Sequence, residues 1–142
     1  MSQEMERSVH DNLLYGYEVA CEGRRIVLHT EFRDGGVEEF TDVIFSGVVA
    51  HHFQDVLTGN ILFGIDEMDV EQIVQSWGEL FSEGKRHGWP DVIKYDNPAD
   101  LVAILRQRGV KAFEISSSFG LRGFVLATAM ELRAREGKIM LE

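Results

Sequence analysis

Residues 66 to 90 read DEMDVEQIVQSWGELFSEGKRHGWP, and this stretch decides the fold. Val70, Ile73, Val74, Trp77, Leu80 and Phe81 recur at steps of three and four, so on a helix of 3.6 residues per turn they form one apolar side. Asp69 stands at the N-cap position with Gln72 three residues on, as in a capping box, and Gly84 stands where a left-handed C-cap residue is wanted. The spacing predicts one long amphipathic helix between an acidic lead-in, Asp66 to Asp69, and a Gly88-Trp89-Pro90 turn. Each buried apolar side chain contributes roughly 1.5 to 3 kcal/mol, against about 1 to 2 kcal/mol per residue of backbone entropy. Such a helix is stable only when its apolar side lies on another layer.

The rest of the chain supplies that layer. Tyr15, Tyr17 and Val19 alternate with Gly16 and Glu18, the pattern of a strand with one buried face. After Glu22-Gly23, Ile26, Leu28, Thr30 and Phe32 face one way and Val27, His29 and Glu31 the other, which makes a hairpin. Beyond the Asp34-Gly35-Gly36 turn, Glu39 to Val49 reads as a third strand, nearly continuous apolar at Val43-Ile44-Phe45. Val49, Phe53 and Val56 carry the spacing of a short helical turn, and Ile61 to Ile65 is a short apolar run of strand length. Asn97 and Pro98 open a second helix through Leu101, Val102, Ile104 and Leu105, which Gly109 stops. Val110 to Ser116 and Gly123 to Leu132 close the chain as strands, the latter with Phe124, Leu126, Met130 and Leu132 on one face. Strands grouped at both ends predict an α+β domain: an antiparallel sheet of about six strands with two main helices packed on one face.

At 142 residues the chain has the length of one domain. Residues 1–140 are expected to form it, and the terminal Leu141-Glu142 pair has the look of a tag remnant. No apolar run reaches the roughly 18 residues of a membrane span, and the polar opening lacks a signal-peptide profile, so a cytoplasmic location is expected. The single cysteine, Cys21, has no partner for an internal disulfide and no ligand spacing around it.

The net charge of -10 argues against nucleic acid and anionic membranes as partners, because both require a basic face. Its layout is uneven. Residues 1–83 hold seventeen acids and four bases, whereas residues 84–142 hold seven acids and ten bases. Between Arg33 and Lys85 there are eleven acids and no Lys or Arg. This is either a solvated acidic face or a surface that steers a basic protein partner, with Glu38, Glu39, Asp42, Asp66 and Glu67 as its candidate residues.

No motif for catalysis, cofactor or metal stands out. His10-Asp11 and His51-His52 are adjacent pairs, and neighbouring side chains point apart on helix and strand alike. Asp66, Glu67, Asp69 and Glu71 lack the glycine and ligand period of a calcium loop, and acids at a helix start are explained by its dipole. Ser116-Ser117-Ser118 has neither a nucleophile elbow nor a phosphate-loop lysine. The residues best placed by sequence to edge a ligand pocket between sheet and helices are His10, Trp89, Ser118 and Arg122, on or beside turns.

Four segments carry a likeness: His10-Asp11-Asn12-Leu13-Leu14, Ile61-Leu62-Phe63-Gly64-Ile65-Asp66-Glu67, Gly88-Trp89-Pro90, and Ser117-Ser118-Phe119-Gly120-Leu121-Arg122-Gly123. Together they resemble a family of small bacterial single-domain proteins of unknown function. The resemblance implies an intracellular bacterial protein and brings no activity or catalytic residue with it. In size and charge alone the chain is also similar to immunity proteins of bacterial toxin systems. Two functions follow as expectations: a non-enzymatic protein that binds a basic partner through its acidic surface, and a small-molecule-binding domain or small enzyme. Gly123 to Leu132, if it ends the sheet, offers a homodimer edge.

Overall fold

The computed structural model describes residues 8–141; residues 1–7 and Glu142, and with Glu142 half of the pair expected to be a tag remnant, lie outside the described residues. The elements follow the order β1 (Leu13–Ala20), β2 (Arg25–Asp34), β3 (Val37–Ser46), β4 (Ala50–Gln54), β5 (Asn60–Met68), α1 (Val70–Ser76), α2 (Gly78–Lys85), α3 (Pro98–Gln107), β6 (Lys111–Phe119), β7 (Arg122–Ala127) and β8 (Ala129–Arg135). The fold is α+β, and the strands form one antiparallel sheet in the order β4-β7-β6-β5-β1-β2-β3-β8. It has eight strands and three helices, where about six strands and two helices were expected. The extra helix and β8 come from breaks within longer expected elements, and β4, set off from β3 by a break of its own, stands where a helical turn was expected.

Two of those breaks lie side by side. Ser46 faces Ala129, and Ala50 faces Leu126, so β3 and β4 run along β8 and β7 with one more residue on their own side of the corner. The N–H of Thr128 donates to the Ser46 carbonyl at 3.0 Å and that of Val49 to the Leu126 carbonyl at 2.8 Å, which carries the pairing across the corner. Gly47, at φ 63, turns the chain there, and a Cβ at this position would run into the Thr128 side chain.

The corner curls the sheet on itself. Tyr17 of β1 meets Phe53 of β4 edge to face at 5.2 Å, although those strands are four places apart in the sheet order. Leu14, Ile26, Leu28, Val43, Phe45, Leu62, Phe113, Ile115, Val125 and Ala127 share one interior, so that space is filled by side chains. The face pattern of the last strands differs from the expectation. Phe124 and Leu126 point outward to the helices, while Met130 and Leu132 pack on the interior, because the facing parity changes at Thr128, between β7 and β8. The Val49 to Val56 stretch is not a helical turn but contains β4, whose backbone pairs with β7 from Ala50 to Gln54. Ladder hydrogen bonds outweigh an i, i+4, i+7 coincidence in three residues.

The helices lie on the outer face of β4, β7 and β6, where Ala50, Ala112, Phe124 and Leu126 receive Val70, Ile73, Val74, Phe81, Leu101, Val102 and Leu105. β7 is thereby covered on both faces. The mid-chain helix starts as predicted: the Asp69 carboxylate accepts from the Glu71 N–H at 2.9 Å. It does not continue unbroken, because Trp77, at φ -111 and ψ 33, leaves helical geometry just before Gly78. The N–H of Trp77 still donates to Ile73 and that of Phe81 to Trp77, so the kink keeps both apolar sides on the same core. Asp66 and Glu67 belong to β5 rather than to a lead-in. Gly84 is not a C-cap. It lies within α2, and a Cβ there would sit 2.7 Å from the Trp89 ring, so its absence of a side chain seats the tryptophan. α3 begins and ends where the sequence places it, capped by Asn97 at 3.0 Å and followed by Gly109 at φ 74.

Candidate functional site

Of the four residues proposed to edge a pocket, three are engaged separately. The His10 ring nitrogen lies 2.7 Å from the Phe63 carbonyl, and its ring meets the Phe63 ring edge-on. Trp89 packs on Phe81 at 4.9 Å and on Phe124 at 6.4 Å, inside the helix layer. Ser118 is exposed near the end of β6. Arg122 pairs with Asp55 at 3.0 Å. None of the five main clefts is lined by any of the four. The aromatic character that made Trp89 conspicuous in sequence is used for packing.

The acidic candidates divide as well. Glu38, Glu39, Asp66 and Glu67 are exposed. Asp42 is only 5% exposed and is enclosed by His29 and Arg135, so it is not part of a partner surface. Six of the eleven acids in the base-free stretch pair with bases that follow it in sequence: Asp42 with Arg135, Asp55 with Arg122, Glu67 with Lys111, Asp69 and Glu71 with Arg106, and Glu83 with Arg86. The Glu71 N–H and then Arg106 hold the Asp69 carboxyl below its usual range. Among the described residues no group of three or more His, Cys, Asp or Glu is arranged to hold a metal ion. Burial, and then the neighbouring His52, hold the His51 imidazole below its usual range, as expected of a strand histidine turned into protein.

The side chains that do converge lie on the outer face of β1, β2, β3 and β8, away from the helices. Because Ile26 and Leu28 point into the curled sheet, Arg25, Val27, His29 and Glu31 point out. Register then sets Asp42 beside His29, and Arg133 beside Asp42. His29 is 1% exposed. Its Nδ1 lies 2.8 Å from Asp42 and its Nε2 lies 2.7 Å from Glu18. Both ring nitrogens thus lie within hydrogen-bond distance of a carboxylate oxygen. Asp42 also accepts from Arg135 Nε at 3.0 Å, and the Tyr15 ring stacks on His29 at 6.2 Å. Along the same face, Lys138 lies over the Tyr15 ring and reaches Glu31 at 3.5 Å, while the Ile139 N–H donates to the Tyr15 hydroxyl.

Above this network is an open cleft of about 490 Å³ lined by Ala20, Val27 and Ile44, by Glu18, His29 and Asp42, and by Arg25, Arg133 and Arg135. Arg135 is committed to Asp42, and Arg133 to Glu131 at 2.9 Å in an exposed pair. Arg25 is exposed and has no ion-pair partner among the described residues. The cleft contains no Ser, Thr or Cys side chain to serve as a nucleophile, and both nitrogens of its histidine are engaged. Its lining sets charged side chains of both signs beside a small apolar floor. The outward alternation of Val27, His29 and Glu31 was visible in sequence, but nothing in the sequence brought Glu18, Asp42 and Arg133 beside it.

No family model matches the chain, and neither the curated proteins nor the solved structures contain a match to it.

Proposed function

We propose that this protein is a non-enzymatic binding module that takes a small organic anion, a carboxylate or phosphate with an apolar stem, in the cleft over β1, β2, β3 and β8. The convergence of Arg25, Arg133 and Arg135 on a floor of Ala20, Val27 and Ile44 carries this reading. Arg25 is available without breaking a contact, and Arg133 gives up only a surface pair of the kind that contributes about 0 to 1 kcal/mol. The buried His29–Asp42 pair fixes Arg135 at the cleft wall, so one of the three cations is pre-positioned. The test is a thermal-shift and calorimetric titration with succinate, benzoate and glycerol phosphate as probes. Binding at 100 times Kd stabilises by about 2.7 kcal/mol, and Arg25→Ala with Arg133→Ala should abolish the shift. No stabilisation by any of the three at millimolar concentration would remove the reading.

A second reading rests on the β2–β3 hairpin. Asp34, Val37, Glu38 and Glu39 are all exposed there, and among the described residues only Glu38 of these acids is in an ion pair, with Arg33 at 3.1 Å. We infer from this tip a docking point for a basic protein partner, with Asp66 and Glu67 on a separate strand outside it. Glu38→Lys with Glu39→Lys is expected to slow association with such a partner, most strongly at low salt. An association rate indifferent to both changes would leave the tip as a solubilising loop.

A further inference from the structure

We propose that β8 is the self-association edge of this protein and that its occupant is a second copy of the same strand, paired antiparallel about a twofold axis at Leu132. β8 ends the sheet order and among the described residues pairs only with β3, so its other edge has no strand partner there along its seven residues. The strand is also incompletely covered. Met130 and Leu132 pack on the interior yet remain partly exposed, unlike Val43 and Phe45 on the adjacent strand, which are fully buried. β8 contains no proline, and none of its charges points inward: Glu131, Arg133 and Arg135 all lie on the outward face. Two of the usual structural guards against strand addition, a proline and an inward-pointing charge, are therefore absent from β8.

The charge pattern selects the partner and the register. In a twofold antiparallel pair, facing residues must point to the same side of the sheet, so only registers that match outward with outward are allowed. Centring the pair on Glu131 places Glu131 against Glu131 of the other copy, and centring it on Arg133 places arginine against arginine. Centring it on Leu132 places Glu131 opposite Arg133 twice, Ala129 opposite Arg135 twice, and Leu132 against itself on the apolar side. Each copy already holds Arg133 on Glu131 at 2.9 Å in an exposed pair, so exchanging that contact for the same one between copies is nearly neutral. Like-charge facings penalise the registers centred on Glu131 and on Arg133, while the backbone ladder and the cover over Met130 and Leu132 drive association. The interface is smaller than a standard permanent one, so a dissociation constant on the order of 10 to 100 μM is expected. This inference does not depend on the cleft binding any ligand.

Sedimentation velocity on the full chain, from low micromolar to near-millimolar concentration, tests it. The wild type should pass from monomer to dimer across that range. Arg133→Glu alone, and Glu131→Arg alone, should each weaken dimerisation about tenfold or more, since each creates two like-charge facings. The combined Glu131→Arg/Arg133→Glu variant should restore it, because the facings are then opposite again. A wild type that stays monomeric throughout, single reversals that leave dimerisation unchanged, or a folded double variant that fails to recover would each overturn the proposal. The rescue separates a specific register from a general effect on folding, and far-ultraviolet circular dichroism of each variant checks that the strand is intact.

Discussion

Phe124→Ala is expected to cost about 3 to 5 kcal/mol of folding stability and to loosen the helical layer before the curled sheet unfolds. Phe124 is fully buried and stands on the outer face of β7, where it meets Trp77 at 5.4 Å, Phe81 at 5.7 Å and Trp89 at 6.4 Å. All three of those rings belong to the helical layer or the loop after it. One side chain thus joins all of them to the sheet, and its loss leaves a cavity that rigid strands cannot collapse to fill. The chain's two tryptophans are both among its neighbours, so their fluorescence reports on this layer. Urea titration of the variant should show the fluorescence transition at lower denaturant than the loss of β-sheet signal, whereas in the wild type the two should coincide. A loss under about 1 kcal/mol with coincident transitions would mean that the helices are held by other contacts.

His29→Ala is expected to cost about 3 kcal/mol or more for a different reason. The substitution removes little volume from the core, but it strips the buried Asp42 carboxylate of one of its two hydrogen-bond partners and leaves Arg135 alone to satisfy it. Glu18, which is half exposed on its side chain, returns to water without penalty. Replacing both buried members with apolar residues should then recover much of the loss. His29→Leu/Asp42→Leu leaves Arg135, itself 39% exposed, free to be hydrated. Chemical denaturation of His29→Leu, Asp42→Leu and the pair gives the coupling between them directly. If the double variant is as unstable as the sum of the single ones, His29 and Asp42 do not act as a unit and the cleft floor is not pre-positioned by them.

How much of this could be read from the chain depends on the range of the interactions involved. The Asp69 and Asn97 caps, the Gly109 stop and the alternation of β2 all rest on contacts within a few residues, and each lies where spacing placed it. The mid-chain helix was legible as an apolar side but not as two segments, since the kink at Trp77 answers to the aromatic cluster of His52 and Phe124 on the sheet beneath. The misreading around Phe53 has the same origin. Its backbone is claimed by β7, some seventy residues away, and its ring by Tyr17 of β1. For the site, conspicuous side chains misled: Trp89 is a packing residue, and Arg122 belongs to a surface pair.

The sequence by itself determined that this is an α+β chain with capped helices, strands that alternate, and an acidic N-terminal half, because periodicity, caps and composition are local or additive properties. The tertiary structure alone decided that the sheet curls at Gly47 and Thr128, and that acids of the base-free stretch meet cations from later in the chain. It also placed His29 between Glu18 and Asp42. Strand register sets each of these, and register is fixed only when every strand's apolar face is buried together, so no single segment carries it.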